Sequence, residues 1–222
     1  MANRSYLYAL DFDRTKGARE KGEKIWSLSE YSYRIPLAYR ILVSQGSKIS
    51  HSIIWEYEHP IAIQGNFEKG EQKLLEFLSR LSNENIFDKD ELERQMSDTK
   101  KFLHEHKLEH IILECGEIFE MEDGELEEKN RKLFEEEILK IDEKMDEAMV
   151  YFKQEKVNIL KLQLEITELS KPQGFLKRIF FGDKTLDIKK MEEEIEKKEQ
   201  EMWNMLGINF WVDVLYYQFE NE

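Results

Sequence analysis

The chain has 222 residues, with 33 Lys and Arg against 47 Asp and Glu, which gives a formal net charge of −14. Charged residues make up 36% of the sequence, above the ~25% of an average soluble domain, and aromatic residues are too frequent for a disordered chain. No apolar run approaches the ~20 residues of a transmembrane helix, and we expect no secretory leader. The single cysteine, Cys115, excludes an internal disulfide and fits a reducing compartment. Together these properties predict a cytoplasmic protein that makes no contact with a membrane.

Residues 1–122 predict a small mixed module of strands and helices. Its expected elements are a strand at 6–10, a polar loop at 16–24, a short helix that begins at Pro36 and ends near Gly46, a strand at 61–63 that turns at Gly65 and Asn66, amphipathic helices at 67–81 and 88–108, and a buried strand at 110–113. Residues 50–57 fit either a helix or a strand. Asp88 is expected to cap the second amphipathic helix, because Glu91 follows three positions later, as in a capping box.

Residues 123–206 predict a long antiparallel helical hairpin of the coiled-coil type. Apolar residues recur at alternating spacings of four and three along both arms, which is the pattern of a heptad seam. In the first arm the seam consists of Phe134, Ile138, Ile141, Met145, Ala148, Phe152, Glu155, Ile159, Leu162, Ile166 and Leu169. In the second arm it consists of Ile188, Met191, Ile195, Lys198, Met202 and Met205. The fold class is therefore α+β and predominantly helical.

The two polar residues of the seam meet when the arms are folded back on each other. A register that pairs Phe152 with Met202 also pairs Glu155 with Lys198. Such a pair sets the register more than it adds stability, because both charges lose water. The same heptads also fit a coiled coil between two chains, but the matched charges favour one chain folded on itself.

The tip of the hairpin and the segment that follows the hairpin lead to two more predictions. The hairpin tip, near residues 171–184, combines aromatic and basic residues. It fits a partner-docking knob or a shallow membrane contact, and it also fits an apolar patch that packs against its own hairpin or against the N-terminal module. Residues 207–222 predict a C-terminal helix that packs back on the core, because this segment is apolar nearly all round.

The negative charge is concentrated in the middle of the chain. Residues 1–60 hold nine Lys and Arg against seven Asp and Glu, whereas residues 83–147 hold 10 against 23. The run at 108–128 contains nine acidic residues and no Lys or Arg. Such a field repels nucleic acid, whose binding needs basic residues to neutralise phosphates, and it attracts a basic protein. The run also fits a solvated face that only keeps the protein soluble.

The candidate partner-binding residues combine this acidic run with the aromatic tip. They are Glu114, Glu117, Glu120, Glu122, Asp123, Glu125, Phe175, Phe180 and Phe181. We expect the acidic residues to contact a basic partner and the hairpin to reach round it.

The motifs present support no catalytic residue, metal ligand or cofactor. The sequence has no phosphate-binding glycine loop and no nucleophile elbow. His104, His106 and His110 lack the HExxH spacing of a zinc protease, and Cys115 is expected to be a buried thiol. The sequence therefore predicts a binding protein rather than an enzyme.

The first part of the chain resembles an uncharacterised bacterial family over residues 1–122. The resemblance is carried by MANRSYLY at 1–8, LSE at 28–30, IPLAY at 35–39, IAIQG at 61–65 and LECGEIF at 113–119. Members of this family are similar to the small acidic proteins that bacteria pair with polymorphic or secreted toxins. The resemblance therefore implies an immunity-type role, as an analogy between families.

Three functional hypotheses fit these observations. The first is an immunity protein that occludes a cognate antibacterial toxin, which we expect to be basic. The second is a non-catalytic adaptor or chaperone-like protein that uses the hairpin and its aromatic tip. The third is an enzyme of a type without a recognisable motif. The acidic run and the lack of catalytic motifs favour the first.

Overall fold

A five-stranded antiparallel sheet forms the centre of the protein in a computed structural model, which describes residues 3–171 and 185–221. The strands are β1 (Arg4–Leu10), β2 (Ile25–Ser32), β3 (Lys48–Ser50), β4 (Ala62–Asn66) and β5 (His110–Glu114). They lie in the order β2-β1-β5-β4-β3, and all neighbours are antiparallel. The central strand β5 is apolar on both faces, with Ile111 and Leu113 on one side and Ile112 on the other. This is the composition expected of a strand that is covered on both sides.

The helices are α1 (Leu37–Val43), α2 (Phe67–Asn83), α3 (Lys89–Glu105), α4 (Gly116–Phe119), α5 (Leu126–Leu133), α6 (Ile141–Ser170) and α7 (Thr185–Leu206), with a π-helical turn at Phe134–Ile138. Two of the helices, α2 and α3, begin at residues whose side chains cap them. Asn66 Oδ1 accepts a hydrogen bond from the Lys69 amide at 3.0 Å at the start of α2. Asp88 Oδ1 accepts one from the Glu91 amide at 2.9 Å, which confirms the predicted cap of α3.

The two faces of the sheet are covered by different parts of the chain. One face holds the main core, where α1 and α2 pack on Leu7 and Ala9 of β1. Met145 and Phe152 of α6 belong to the same core, so the sheet and the base of the hairpin are packed together. The opposite face carries a smaller cluster that includes Tyr6 and Tyr8 of β1, and residues of the loop 51–60 and of the C-terminal segment cover it.

The hairpin formed by α6 and α7 has the predicted register. All seam positions in these two helices are buried or half-buried, whereas Val150, Leu164 and Leu186, which lie outside the seam, are exposed. Lys198 Nζ lies 2.9 Å from Glu155 Oε2, and both side chains are mostly buried. The structure thus confirms the ion pair between the two polar seam positions.

The predicted C-terminal helix is wrong. Residues 208–221 follow α7 as an extended segment, and Trp211 forms an isolated bridge with Ser29 of β2. The segment resembles a helix in sequence because its apolar residues are consecutive. Its burial alternates, however, with Leu215 buried and Val214 and Tyr216 exposed, and a period of two is that of an extended chain.

Two smaller predictions also differ from the structure, and one strand was missed. Strand β2 was not predicted from the sequence, and residues 51–60 form an irregular loop instead of a helix or a strand. Gly65 lies inside β4 and not in a turn. A Cβ atom at Gly65 would lie 2.4 Å from the Val43 carbonyl oxygen, so the close approach of α1 to β4 requires glycine.

The fold class is mixed α+β and predominantly helical, as predicted. Within residues 3–171 and 185–221, no helix is both long enough and apolar enough to cross a bilayer.

Candidate functional site: the acidic loop

Most of the exposed acidic residues of the run lie in a short loop between α4 and α5, residues 120–125, which we call the acidic loop. Lys129 of α5 holds it in place, because its Nζ donates hydrogen bonds to the carbonyl oxygens of Phe119 and Glu122. Gly124 has φ +116°, a conformation that L side chains rarely adopt. The loop is therefore a turn shaped by its main chain, which leaves its side chains directed away from the core.

The carboxylates of the acidic loop are exposed and close together in the chain. Glu120, Glu122, Asp123 and Glu125 are all exposed. Among the described residues, no cation forms an ion pair with Glu122, Asp123 or Glu125, and Glu120 receives only a long hydrogen bond, at 3.4 Å, from the Tyr57 hydroxyl. The four carboxylates outnumber Lys129, whose ammonium group contacts the main chain of the loop, so the loop keeps a net negative charge.

The next acidic residues along α5 differ from those of the loop because they have partners. Glu127 lies 3.6 Å from His59 Nδ1, and Glu128 lies 3.9 Å from Arg131. Exposed carboxylates without an ion pair among the described residues also occur further along the chain, at Glu135 and Glu136 and on the hairpin. The loop differs from these places because four acidic residues fall within its six positions.

Glu117, which was predicted to bind a partner, is engaged inside the molecule. Its Oε2 accepts a hydrogen bond from the Arg4 amide at 2.8 Å, and its Oε1 accepts one from the Tyr6 hydroxyl at 2.9 Å. Hydrogen bonds to an ionised carboxylate are the stronger kind, so Glu117 ties α4 to the first strand. These two hydrogen bonds hold α4, the helix that precedes the acidic loop, against β1.

Glu114, also predicted to bind a partner, is fully buried, and that prediction is wrong. It is the last residue of the central strand β5, where both faces of the sheet are covered. Its Oε1 accepts a hydrogen bond from the Ile53 amide at 2.7 Å, and its Oε2 has no hydrogen-bond partner among the described residues. Burial raises the pKa of Glu114 to about 7, although hydrogen bonds from Ile53 and Ser52 and the charge of Arg14 oppose the rise.

The remaining candidate residues, Phe175, Phe180 and Phe181, lie outside the described residues, as does most of the hairpin tip.

Cys115 and His106, which were considered as catalytic or metal-binding residues, are packed against other parts of the fold. Cys115 is fully buried, and burial raises the pKa of its thiol, which makes it a poor nucleophile. The His106 ring stacks on Phe102 at 4.1 Å, and its Nδ1 lies 2.9 Å from the Phe102 carbonyl oxygen. In the part of the chain that is described, no group of three His, Cys, Asp or Glu residues is arranged to hold a metal ion.

Comparison with known proteins gives a family for this chain. Residues 13–155 match the model of a domain of unknown function, DUF7822. The chain belongs to the DUF7822 family. The matched region includes β2 to β5, the acidic loop and half of α6, whereas α7 and the C-terminal segment lie outside it. No curated protein and no solved structure matches the chain.

Proposed function

We propose that this DUF7822 protein is an immunity-type inhibitor that acts in the cytoplasm, where it binds a cognate antibacterial toxin of basic surface and blocks it by occlusion. The observation that carries the proposal is the acidic loop, with three exposed carboxylates that have no ion pair among the described residues. Such an inhibitor needs no catalytic residue. It needs a surface that finds its target quickly and covers it.

Electrostatic attraction suits this role because an inhibitor of this kind must bind before damage occurs. Complementary charges raise association rate constants by ~10- to 1,000-fold at low salt, and they also discourage partners of the wrong sign. The effect weakens as salt is added, because the Debye length is only ~8 Å at physiological ionic strength. Binding by this chain is therefore expected to depend on salt mainly through its association rate.

Charge reversal at the acidic loop tests the proposal. One variant carries Glu122→Lys, Asp123→Lys and Glu125→Lys. The matched control carries Glu165→Lys, Glu192→Lys and Glu196→Lys, three changes at exposed acidic residues of the hairpin that form no ion pair with other described residues. Both variants change the net charge of the chain by the same amount.

Each protein is used to capture partners from the native host and then to measure association with the captured partner. We expect the loop variant to associate at least ~10-fold more slowly than the unmodified chain, and the hairpin control to change far less, because only nearby charges act at this salt concentration. Equal effects of the two variants, or no effect of either, would contradict a contact at the acidic loop.

A second candidate function, that of a non-catalytic adaptor, is favoured by a separate observation. The outward face of α6 exposes Val157, Leu160 and Leu164, by 44%, 46% and 66% respectively. Contiguous exposed apolar residues often mark interaction sites. If Leu160→Gln with Leu164→Gln abolishes capture of a large assembly while the loop variant retains it, the adaptor function replaces the immunity function.

A further inference from the structure

After α7 the chain continues as an extended segment, residues 208–221, which we call the tail. It begins after Gly207, whose amide donates to the Trp203 carbonyl at 2.8 Å and whose φ is +75°, so the left-handed glycine ends α7. The tail then passes the edge strand β2, where the Val212 amide donates to the Leu28 carbonyl at 3.0 Å. From there it crosses the face of the sheet opposite to the main core.

The body of the protein holds the tail largely by its main chain. Carbonyl oxygens of the tail accept hydrogen bonds from side chains of the body, and one tail amide donates to a body carboxylate. The contacts are Thr99 Oγ1 to the Ile208 carbonyl at 3.3 Å, Ser29 Oγ to the Phe210 carbonyl, Tyr8 hydroxyl to the Tyr217 carbonyl at 3.0 Å, Arg19 Nη2 to the Glu220 carbonyl at 2.8 Å, and the Tyr216 amide to Glu30 Oε2 at 2.8 Å. Main-chain groups are the same in every peptide, so these contacts do not depend on the tail's own sequence.

Side chains of the tail enter the sheet face at every second position. Leu215 is buried, and Tyr217 and Phe219 are half-buried, whereas the intervening residues are exposed. The Tyr217 ring packs edge-on against Tyr6, at 5.3 Å between ring centroids. The Phe219 ring packs in the same way against Tyr8, also at 5.3 Å. Aromatic pairs of this geometry stabilise beyond the area that they bury.

We propose that this face of the sheet is a peptide-binding surface that the tail occupies in cis, and that it accepts in trans an extended partner segment with apolar or aromatic side chains at every second position. Contacts to the main chain provide affinity, and pockets for alternate side chains provide selectivity, as in other modes of extended-peptide recognition. The proposal does not rest on the immunity function, because it concerns a different surface from the acidic loop.

The way in which the tail is attached allows such an exchange. Its link to β2 at Trp211 is an isolated bridge and not a continuous ladder. Body side chains such as Tyr8 and Arg19 bind its carbonyl oxygens and would serve an incoming segment equally well. The Asn221 side chain adds a contact specific to the tail, because it pairs with the main-chain N–H and C=O of Ile25. Because the tail is tethered, its effective concentration is in the ~mM range, and a partner segment must compete with it.

The first test uses the full chain with Leu215→Ser, Tyr217→Ser and Phe219→Ser, which leaves the tail in place but removes its apolar side chains. The probe is a fluorescent synthetic peptide with the sequence of residues 208–221. We expect this peptide to bind the variant at least ~10-fold more tightly than it binds the unmodified chain, since competition in cis has been weakened. A control peptide of the same composition, in which Leu215 exchanges places with Asp213, Tyr217 with Gln218 and Phe219 with Glu220, places polar residues at the three inward positions and is expected to bind less tightly than the native peptide.

Two results of this test would overturn the proposal. One is that the native peptide does not bind the variant even though hydrogen exchange shows that the variant's tail amides are open. The other is that both peptides bind equally, since the surface would then lack the expected selectivity for alternate positions.

A second measurement avoids the three substitutions. A protease site is inserted between Asp213 and Val214, which are both exposed, and the folded full chain is cut there. We expect the severed piece to leave and to be replaced by a labelled peptide of residues 214–221. If the piece stays and no peptide exchanges, or if cutting unfolds the chain as judged by circular dichroism, the tail is a fixed part of the fold and the proposal is wrong.

Discussion

Replacing Glu114 by glutamine should make the protein more stable at neutral and alkaline pH. The carboxyl group is fully buried at the end of the central strand, and only one of its oxygens has a hydrogen-bond partner among the described residues. Glutamine has nearly the same shape, and its side-chain oxygen can still accept the hydrogen bond from the Ile53 amide. It cannot ionise, however, so the cost of placing a negative charge in the sheet disappears.

The size and sign of this effect follow from the pKa. Burial raises the pKa of Glu114 from its ordinary value of 4.5 to about 7. Between these two pH values the unfolded chain has released the proton while the folded chain still holds it, so stability falls as the pH rises through this window and stays low above it. The difference corresponds to about 3 kcal/mol of unfolding free energy at pH values above the folded-state pKa.

Urea denaturation of the unmodified chain and of Glu114→Gln across this window measures the effect. We expect similar stabilities near ~pH 5 and an advantage of up to about 3 kcal/mol for the variant near ~pH 8. Glu128→Gln is the control, because it removes one charge from an exposed residue and should leave the pH profile unchanged. Parallel profiles for the unmodified chain and Glu114→Gln would refute the assignment of a neutral, buried carboxyl group.

Three further tests concern the hairpin, the packing of α2 and the cap of α2. Glu155→Lys places two cations together in the seam and should cost about 2 kcal/mol of unfolding free energy. Adding Lys198→Glu should restore most of this loss, because the pair is then present with its charges exchanged. A double variant that is no more stable in urea than the single variant would contradict the register. Gly70→Ala should cost at least about 2 kcal/mol, because its methyl group would lie 1.9 Å from the Leu42 carbonyl oxygen; an unchanged thermal midpoint would contradict this close approach. Asn66→Ala should cost about 1 kcal/mol by removing the cap of α2, and Asn66→Asp should cost little; equal losses would show that the side-chain acceptor does not stabilise the helix.

The hairpin could be predicted from the sequence because its signal is repeated many times. Each seam residue supports the same periodicity, and the two exceptions, Glu155 and Lys198, define the register independently of the apolar residues. A single wrong residue would not have changed the prediction. Redundancy of this kind is typical of coiled coils.

The tail and β2 could not be predicted in the same way, since each is stabilised by contacts far away in the sequence. The tail is apolar on consecutive residues, and only its contact with the sheet decides that Leu215 faces inward while Val214 and Tyr216 face solvent. Strand β2 contains serines and a glutamate among its apolar residues, and its pairing with β1 determines its conformation.

The candidate site was predictable only in part. A run of acidic residues indicates local negative charge, but it does not distinguish Glu122, which is exposed, from Glu114, which is buried. The relevant signal lay in the neighbours of Glu114, because it continues the apolar strand at 111–113 and precedes a buried cysteine. Tertiary burial overrode the usual preference of glutamate for the surface.

Protection of growing cells is the most direct test of the proposed immunity function. The basic protein captured by the chain is expressed in a host that lacks the native locus, together with the unmodified chain, the acidic-loop variant or the hairpin control. We predict that the captured protein stops growth, that the unmodified chain and the hairpin control restore it, and that the loop variant does not. A captured protein that is harmless, or equal protection by all three chains, would contradict the account.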